Sequence, residues 1–330
     1  MIELINVSKI YPGLDVPAVN NVSFKVKTGE ILAIVGPSGC GKTTILKMIN
    51  RLVVPTYGEI LIHGQDTTNV NHDVLRRKIG YVIQQIGLLP HRKVKDNVAI
   101  VPRMLGWSEK LIHERVHTLL EMNGLNPEEV KDKYPYQLSG GQMQRVGVAR
   151  ALAGDPPIML MDEPFGAVDP IVRKHLQDEF LKLQQNVQKT IVFVTHDIDE
   201  AMKMGDQVAV VKDGVIVQKA PPLELLSRPK NEFVIDLIGQ NRGVRILDLI
   251  QVKHLTIHDS NSSLQSEEYV IPSDQPIKAA LEKMMTLNSD TLSVIHQQKI
   301  IGVITWESIK SHIHSMSRDP HTLKNVPGGD

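Results

Sequence analysis

The sequence predicts an α/β domain on a mainly parallel sheet, followed by a small α+β domain, and three observations carry that expectation. Residues 31–35, 158–161, 191–195 and 208–211 are short apolar runs without polar alternation. Such runs fit strands buried on both faces, as in a parallel sheet covered by helices. The first run feeds Gly36-Pro37-Ser38-Gly39-Cys40-Gly41-Lys42-Thr43, which matches the phosphate-loop pattern G-x-x-x-x-G-K-[ST] in its strand-loop-helix setting. Finally, the chain has 330 residues, more than the roughly 250–300 at which single cores stop growing, so two domains are expected.

The elements follow in order. Residues 2–7 and 21–27 alternate apolar and polar, which suits half-buried antiparallel strands ahead of the first buried one. A helix is expected from about Thr43 to Arg51. Between about Arg103 and Met122, Leu105, Ile112, Val116, Leu119 and Leu120 recur among charges as in an amphipathic helical insert. The insert leads to Leu138-Ser139-Gly140-Gly141-Gln142, then helical pattern through residues 142–153 and again from Val172 to about Gln185. A turn at Lys212-Asp213-Gly214 separates two short β runs.

Composition shifts after Gly239. Residues 241–268, with the polar cluster at 259–263, read as a linker or a degenerate repeat. Residues 269–318 read as β-α-β-β-α. A strand at 269–271 precedes a helix with Ile277, Ala280, Leu281, Met284 and Met285, a hairpin crosses Gln297-Gln298, and a second helix starts near Trp306. Residues 319–330 are expected to be a flexible tail.

Bulk properties narrow the class. Lysine plus arginine equal aspartate plus glutamate, 37 against 37, so no overall field draws the chain to nucleic acid or an anionic bilayer. Cys40 is the single cysteine, which excludes an intramolecular disulfide and fits a reducing cytosol. No apolar run approaches the roughly 20 residues of a membrane-spanning helix. The expected location is cytosolic.

The candidate chemistry is phosphate chemistry. Gly36, Gly39 and Gly41 let backbone N–H groups approach crowded phosphate oxygens with no Cβ in the way. The helix starting near Lys42 adds its positive end, Lys42 reaches the β- and γ-phosphates, and the Thr43 hydroxyl is a Mg²⁺ ligand. Asp162 ends a buried strand, where its carboxylate is costly without a compensating cation such as Mg²⁺. Glu163, one residue on, is the candidate to polarise an attacking water.

These motifs in this order resemble the ATP-binding cassette (ABC) family over residues 1–240, and the resemblance implies further roles. His196 corresponds to a switch histidine that senses the γ-phosphate. Gln84, with Gln85 as the alternative, corresponds to the glutamine that touches Mg²⁺ and water. Tyr11 corresponds to the aromatic that stacks on adenine, and Ser38, Cys40 and Thr44 complete the phosphate loop. Ser139, Gly141 and Gln142 form the signature that completes a partner cassette's site, and Asp169 belongs to the loop crossing to that partner. A homodimer sandwiching two ATP molecules is implied.

Only 120 positions separate Lys42 from Asp162, whereas repair and chromosome ATPases of the family separate these motifs by long coiled coils. The resemblance therefore implies a transporter subunit at the cytoplasmic face of the membrane, with a permease and a solute-binding protein as partners and no nucleic acid. Leu88-Leu89-Pro90-His91 resembles the surface that receives the permease's coupling helix. Residues 76–85 and 162–167 resemble importer ATPases for glycine betaine, choline and carnitine, and residues 269–318 resemble one cystathionine-β-synthase (CBS) motif. Another solute such as an amino-acid betaine, or a soluble ATPase outside transport, are the alternatives.

Overall fold

A computed structural model of the chain describes all residues except 84–86, 167–168, 240–241, 258–266, 298 and 319–330. It divides into two compact units, Met1–Lys219 and Ala220–Asp330.

In the first unit β1 (Ile2–Lys9) and β2 (Val19–Val26) pair antiparallel, Ile2 opposite Val26. Every residue of β3 (Ile31–Val35) is buried, and the phosphate loop joins it to α1 (Lys42–Ile49). β4 (Tyr57–Ile62) pairs with the other edge of β1, and β5 (Gln65–Asp66) closes a four-stranded sheet of order β2-β1-β4-β5. After α2 (His72–Arg77) and β6 (Ile79–Val82) comes the helical insert.

That insert begins earlier than its apolar spacing suggested. It comprises α3 (Val94–Met104), α4 (Glu109–Met122) and the short α5 (Pro127–Val130). Gly106, at φ +75°, takes the left-handed conformation that ends one helix. The Ser108 hydroxyl then caps the next by accepting from the Leu111 amide at 3.4 Å.

The remainder of the unit alternates helix and strand: α6 (Gly140–Leu152), β7 (Ile158–Asp162), α7 (Pro170–Val187), β8 (Thr190–Thr195), α8 (Ile198–Met204), β9 (Gln207–Lys212) and β10 (Val215–Ala220). These strands form a six-stranded sheet of order β10-β9-β3-β8-β7-β6. The β9–β3, β3–β8, β8–β7 and β7–β6 pairings are all parallel. The turn between β9 and β10 puts Asp213 and Gly214 at φ +47° and +76°, the tight turn that matches strand twist. One buried cluster joins both sheets and α1, with Ile2, Leu4, Leu32, Ile34, Ile45, Ile49, Val192 and Val194 at its centre. Each such aliphatic contributes about 1.5–3 kcal/mol by burial.

The second unit has its own core. It opens with α9 (Pro222–Ser227), α10 (Glu232–Ile238) and α11 (Arg242–Leu249). Helix α11 occupies the start of the 241–268 segment, read from sequence as a linker or a degenerate repeat. Its Ile246 and Leu247 pack against the buried cluster that includes Ile250, Val252, Ile277 and Leu292, so this charged sequence is amphipathic. The polar cluster at 259–263 lies outside the described residues. Then follow β11 (Val270–Pro272), α12 (Ile277–Leu287), β12 (Thr291–His296), β13 (Lys299–Thr305) and α13 (Trp306–Arg318), in the expected β-α-β-β-α order. β11 and β12 are parallel, and β12 and β13 form the hairpin. The tail at 319–330 is outside the described residues. Among the described residues no helix is long and apolar enough to cross a membrane.

Candidate active site

Strand register assembles the site. Val35 pairs with Thr195 and Asp162 with Val194, so the residues that follow each strand, Gly36, Glu163 and His196, leave the same edge of the parallel sheet side by side. Crevices beyond the carboxyl ends of parallel strands are where such sheets bind ligands.

The phosphate loop is shaped by what surrounds it. A Cβ on Gly36 would meet the Val211 carbonyl at 2.1 Å, and one on Gly41 would meet the Ala18 carbonyl at 2.3 Å. Gly41 also sits at φ +102° and caps α1 without a side chain. Lys42 is only 6% exposed, and its ammonium donates to the carbonyls of Gly36 and Pro37, both at 2.8 Å. The ammonium is thereby fixed within the loop whose backbone it holds. Cys40 is buried against it, with Sγ 3.9 Å from Nζ. Burial pushes the thiol pKa up despite the lysine, which suits a filler residue rather than a reactive thiolate.

Thr43 and Asp162 join the two halves of the site: the threonine hydroxyl donates to Asp162 Oδ1 at 2.9 Å. Burial raises the Asp162 pKa, with Glu163 adding to the rise and the Thr43 hydrogen bond opposing it. Glu163 stands at φ +47°, a strained conformation for a non-glycine residue that costs on the order of 1–3 kcal/mol and clusters at functional sites. Its amide donates to the Val194 carbonyl at 3.0 Å, and its carbonyl accepts from the Gly166 amide at 3.2 Å. The strained turn aims the side chain at His196, whose Nδ1 is 3.4 Å from Glu163 Oε1.

Ser139 starts α6 with a reciprocal cap. Its hydroxyl accepts from the Gln142 amide at 3.2 Å, and the Gln142 side chain accepts from the Ser139 amide at 3.1 Å. Ser139 and Gly140 are exposed, which leaves this helix start accessible on the single chain. Tyr11 lies near the phosphate-loop helix, its hydroxyl 3.5 Å from Thr44 Oγ1, and the Lys9 ammonium sits 5.4 Å from its ring centre. Exposed Asp169 caps α7 by accepting from the Val172 amide at 3.4 Å. Ser38 and Gly39 are exposed on the loop.

A family model described as ABC transporter matches residues 19–166. The chain is 46% identical to the choline transport ATP-binding protein OpuBA of Bacillus subtilis (strain 168), covering 91% of this chain and 77% of that protein. It is also 46% identical to the glycine betaine/carnitine/choline transport ATP-binding protein OpuCA of the same strain, covering 94% and 79%. The chain belongs to the ABC transporter ATP-binding family. A dimeric ABC cassette, MJ0796, in a post-hydrolysis state with ADP and Pi superposes with a TM-score of 0.62 at 38% identity, over 67% of this chain and 99% of that one. The first unit is thus an ABC-type ATPase cassette that binds ATP.

Gln84 and Gln85, assigned by resemblance to the metal and water, lie outside the described residues. The structure brings the other cassette residues into two groups. Lys42, Thr43, Asp162, Glu163 and His196 gather at the sheet edge, while Ser139, Gly141 and Gln142 form the separate start of α6.

Sequence reasoning missed two features of the ABC site. Buried Gln144 donates to the Pro164 carbonyl, tying α6 to the segment after Glu163. The second is Glu200, 4% exposed on α8, which accepts from the Thr195 hydroxyl at 2.7 Å. A carboxyl four residues beyond His196 and followed by Ala201 and Met202 was the available signal.

Burial pushes the Glu200 pKa from 4.5 up to about 7, and Asp197 adds to the rise. In the folded chain Glu200 therefore holds its proton over a range where the unfolded chain releases it. The associated stability is present below pH 4.5 and is lost as pH rises through about 7. Relative to wild type, Glu200→Gln should gain on the order of 3 kcal/mol of stability between pH 4 and pH 8. Denaturant unfolding at both pH values measures that gain.

Proposed function

We propose that this cassette hydrolyses ATP to power uptake of a quaternary ammonium solute, such as choline, glycine betaine or carnitine, through a partner membrane permease. The observation that carries the hydrolytic part is the junction of Thr43 with Asp162 beside Glu163 and His196 at one sheet edge. The cargo follows from the relatives, whose names specify choline, glycine betaine and carnitine transport.

The chain's own groups supply the chemistry. Backbone N–H groups of the phosphate loop and the Lys42 ammonium hold the phosphates, and the positive end of α1 adds to their field. Asp162 and Thr43 are suited to Mg²⁺. One buried carboxylate and one hydroxyl are a typical protein share for an ion that takes its other ligands from phosphate and water. Bound there, with Gln84 as a further ligand, Mg²⁺ would neutralise phosphate charge. Glu163 orients a water and takes its proton as the oxygen attacks the γ-phosphorus, the bond from that phosphorus to the β,γ-bridging oxygen breaks with ADP as the leaving group, and His196 holds the γ-phosphate oxygens. Tyr11 stacks on adenine.

Ser139, Gly141 and Gln142 complete the site of a second cassette, with Asp169 crossing between the two. The exposed start of α6 supports this reading, because its free N–H groups and dipole favour a phosphate. A homodimer follows.

A cavity of about 420 Å³ lined by Arg76, Tyr81, Leu89, Val101 and Arg150 supports docking of a permease helix at the cytoplasmic membrane face. The 269–318 segment is read as one CBS motif that pairs with its counterpart and tunes turnover.

The test is ATPase stimulation after assembly with the adjacent permease and solute-binding protein. Stimulation by choline, glycine betaine or carnitine is expected. Assembly with no response to any quaternary ammonium solute would move the cargo elsewhere.

A further inference from the structure

A closed ring of hydrogen bonds links Thr195 and Asp197, the chain neighbours of His196, with Glu200. The Thr195 hydroxyl donates to Glu200 Oε2 at 2.7 Å and accepts from the Asp197 amide at 3.0 Å. Asp197 Oδ1 in turn accepts from the Glu200 amide at 3.2 Å, and Arg173 lies 3.5 Å from Asp197 Oδ2. Both chain neighbours of His196 are therefore held, while the histidine side chain itself is 56% exposed. The Thr195 hydroxyl has one hydrogen, and the ring spends it on Glu200.

Glu200 is an expensive way to fasten a helix. Its Oε1 has no hydrogen-bond partner among the described residues, and burial raises its pKa to about 7. Helix α8 is already capped by Asp197, which accepts from the amides of Asp199 and Glu200. A buried, half-satisfied carboxyl is a burden on stability, and such burdens persist where activity needs them.

We propose that Glu200 and Thr195 form a clamp that positions His196 against Glu163 for ATP hydrolysis. The proposal rests on the reading of His196 as the residue that meets the γ-phosphate. Glu200 is a positioning residue: it acts through Thr195 on the turn that carries the imidazole.

The decisive variant replaces both partners with apolar groups. Thr195→Val/Glu200→Met removes the buried, half-satisfied carboxyl together with its hydroxyl partner and takes the acceptor from the Asp197 amide, so the two effects offset and its unfolding midpoint should stay close to that of the wild-type full-length chain. Its kcat should nonetheless fall about tenfold with the ATP KM unchanged within about twofold, because displacement of a catalytic group costs turnover. Thr195→Val alone should lose a similar factor, and the conservative Thr195→Ser should recover it. A stable double variant with wild-type kcat would overturn the clamp, as would a loss of kcat matched by a loss of ATP affinity. His196→Ala separates the two claims. If it is inactive while the clamp variants turn over normally, the clamp alone falls, whereas wild-type turnover in His196→Ala removes both.

Discussion

Glu163→Gln should lower ATP turnover by about 10²–10⁴-fold, the usual contribution of a positioned general base, while ATP affinity stays within about threefold of wild type. The amide keeps the shape of the carboxylate, so the strained turn at φ +47° and the hydrogen bond from its backbone N–H to the Val194 carbonyl are preserved. Only proton acceptance is lost. On the proposed function, hydrolysis reopens the ATP sandwich, so the variant should accumulate as an ATP-dependent dimer in light scattering, where wild type cycles back to monomer. Turnover near the wild-type rate would transfer the water-polarising role to another group.

Lys42→Ala should act on binding. The ammonium is fixed by the Gly36 and Pro37 carbonyls, and hydrogen bonds from a charged donor contribute about 1.5–3 kcal/mol each. Losing two to the phosphates weakens ATP affinity by about 10²–10⁴-fold. Lys42→Arg should not restore it, since a planar fork does not fit a space formed around a point-charge ammonium. Titration with a fluorescent ATP analogue measures both variants, and near wild-type affinity in Lys42→Ala would remove the lysine from the phosphate site.

The buried strands were legible because a parallel sheet covered on both faces needs unbroken apolar runs, and residues 31–35 and 191–195 have them. The join between Thr43 and Asp162, far apart in sequence, was legible for a different reason: phosphate and metal chemistry restrict which residues can serve there. Helix boundaries were less so. The insert starts at Val94 rather than near Arg103, because Pro102 interrupts the periodic signal that α3 otherwise carries. Helix α11 was hidden by Arg242, Arg245 and Asp248, charges that break up the apolar signal of Ile246 and Leu247. For Glu200 the sequence offered only its place four residues beyond His196. Its importance depends on being buried beside Thr195, and burial of a carboxyl is set by packing rather than by local pattern.

The transport reading and the chemical reading meet in one experiment: uptake of radiolabelled choline, glycine betaine and carnitine into vesicles carrying the assembled permease, with ATP and this subunit on the cytoplasmic side. The account predicts concentrative uptake of at least one of these solutes that requires ATP and disappears with Glu163→Gln. Uptake that persists undiminished with Glu163→Gln, or an assembled transporter that moves none of the three, would contradict it.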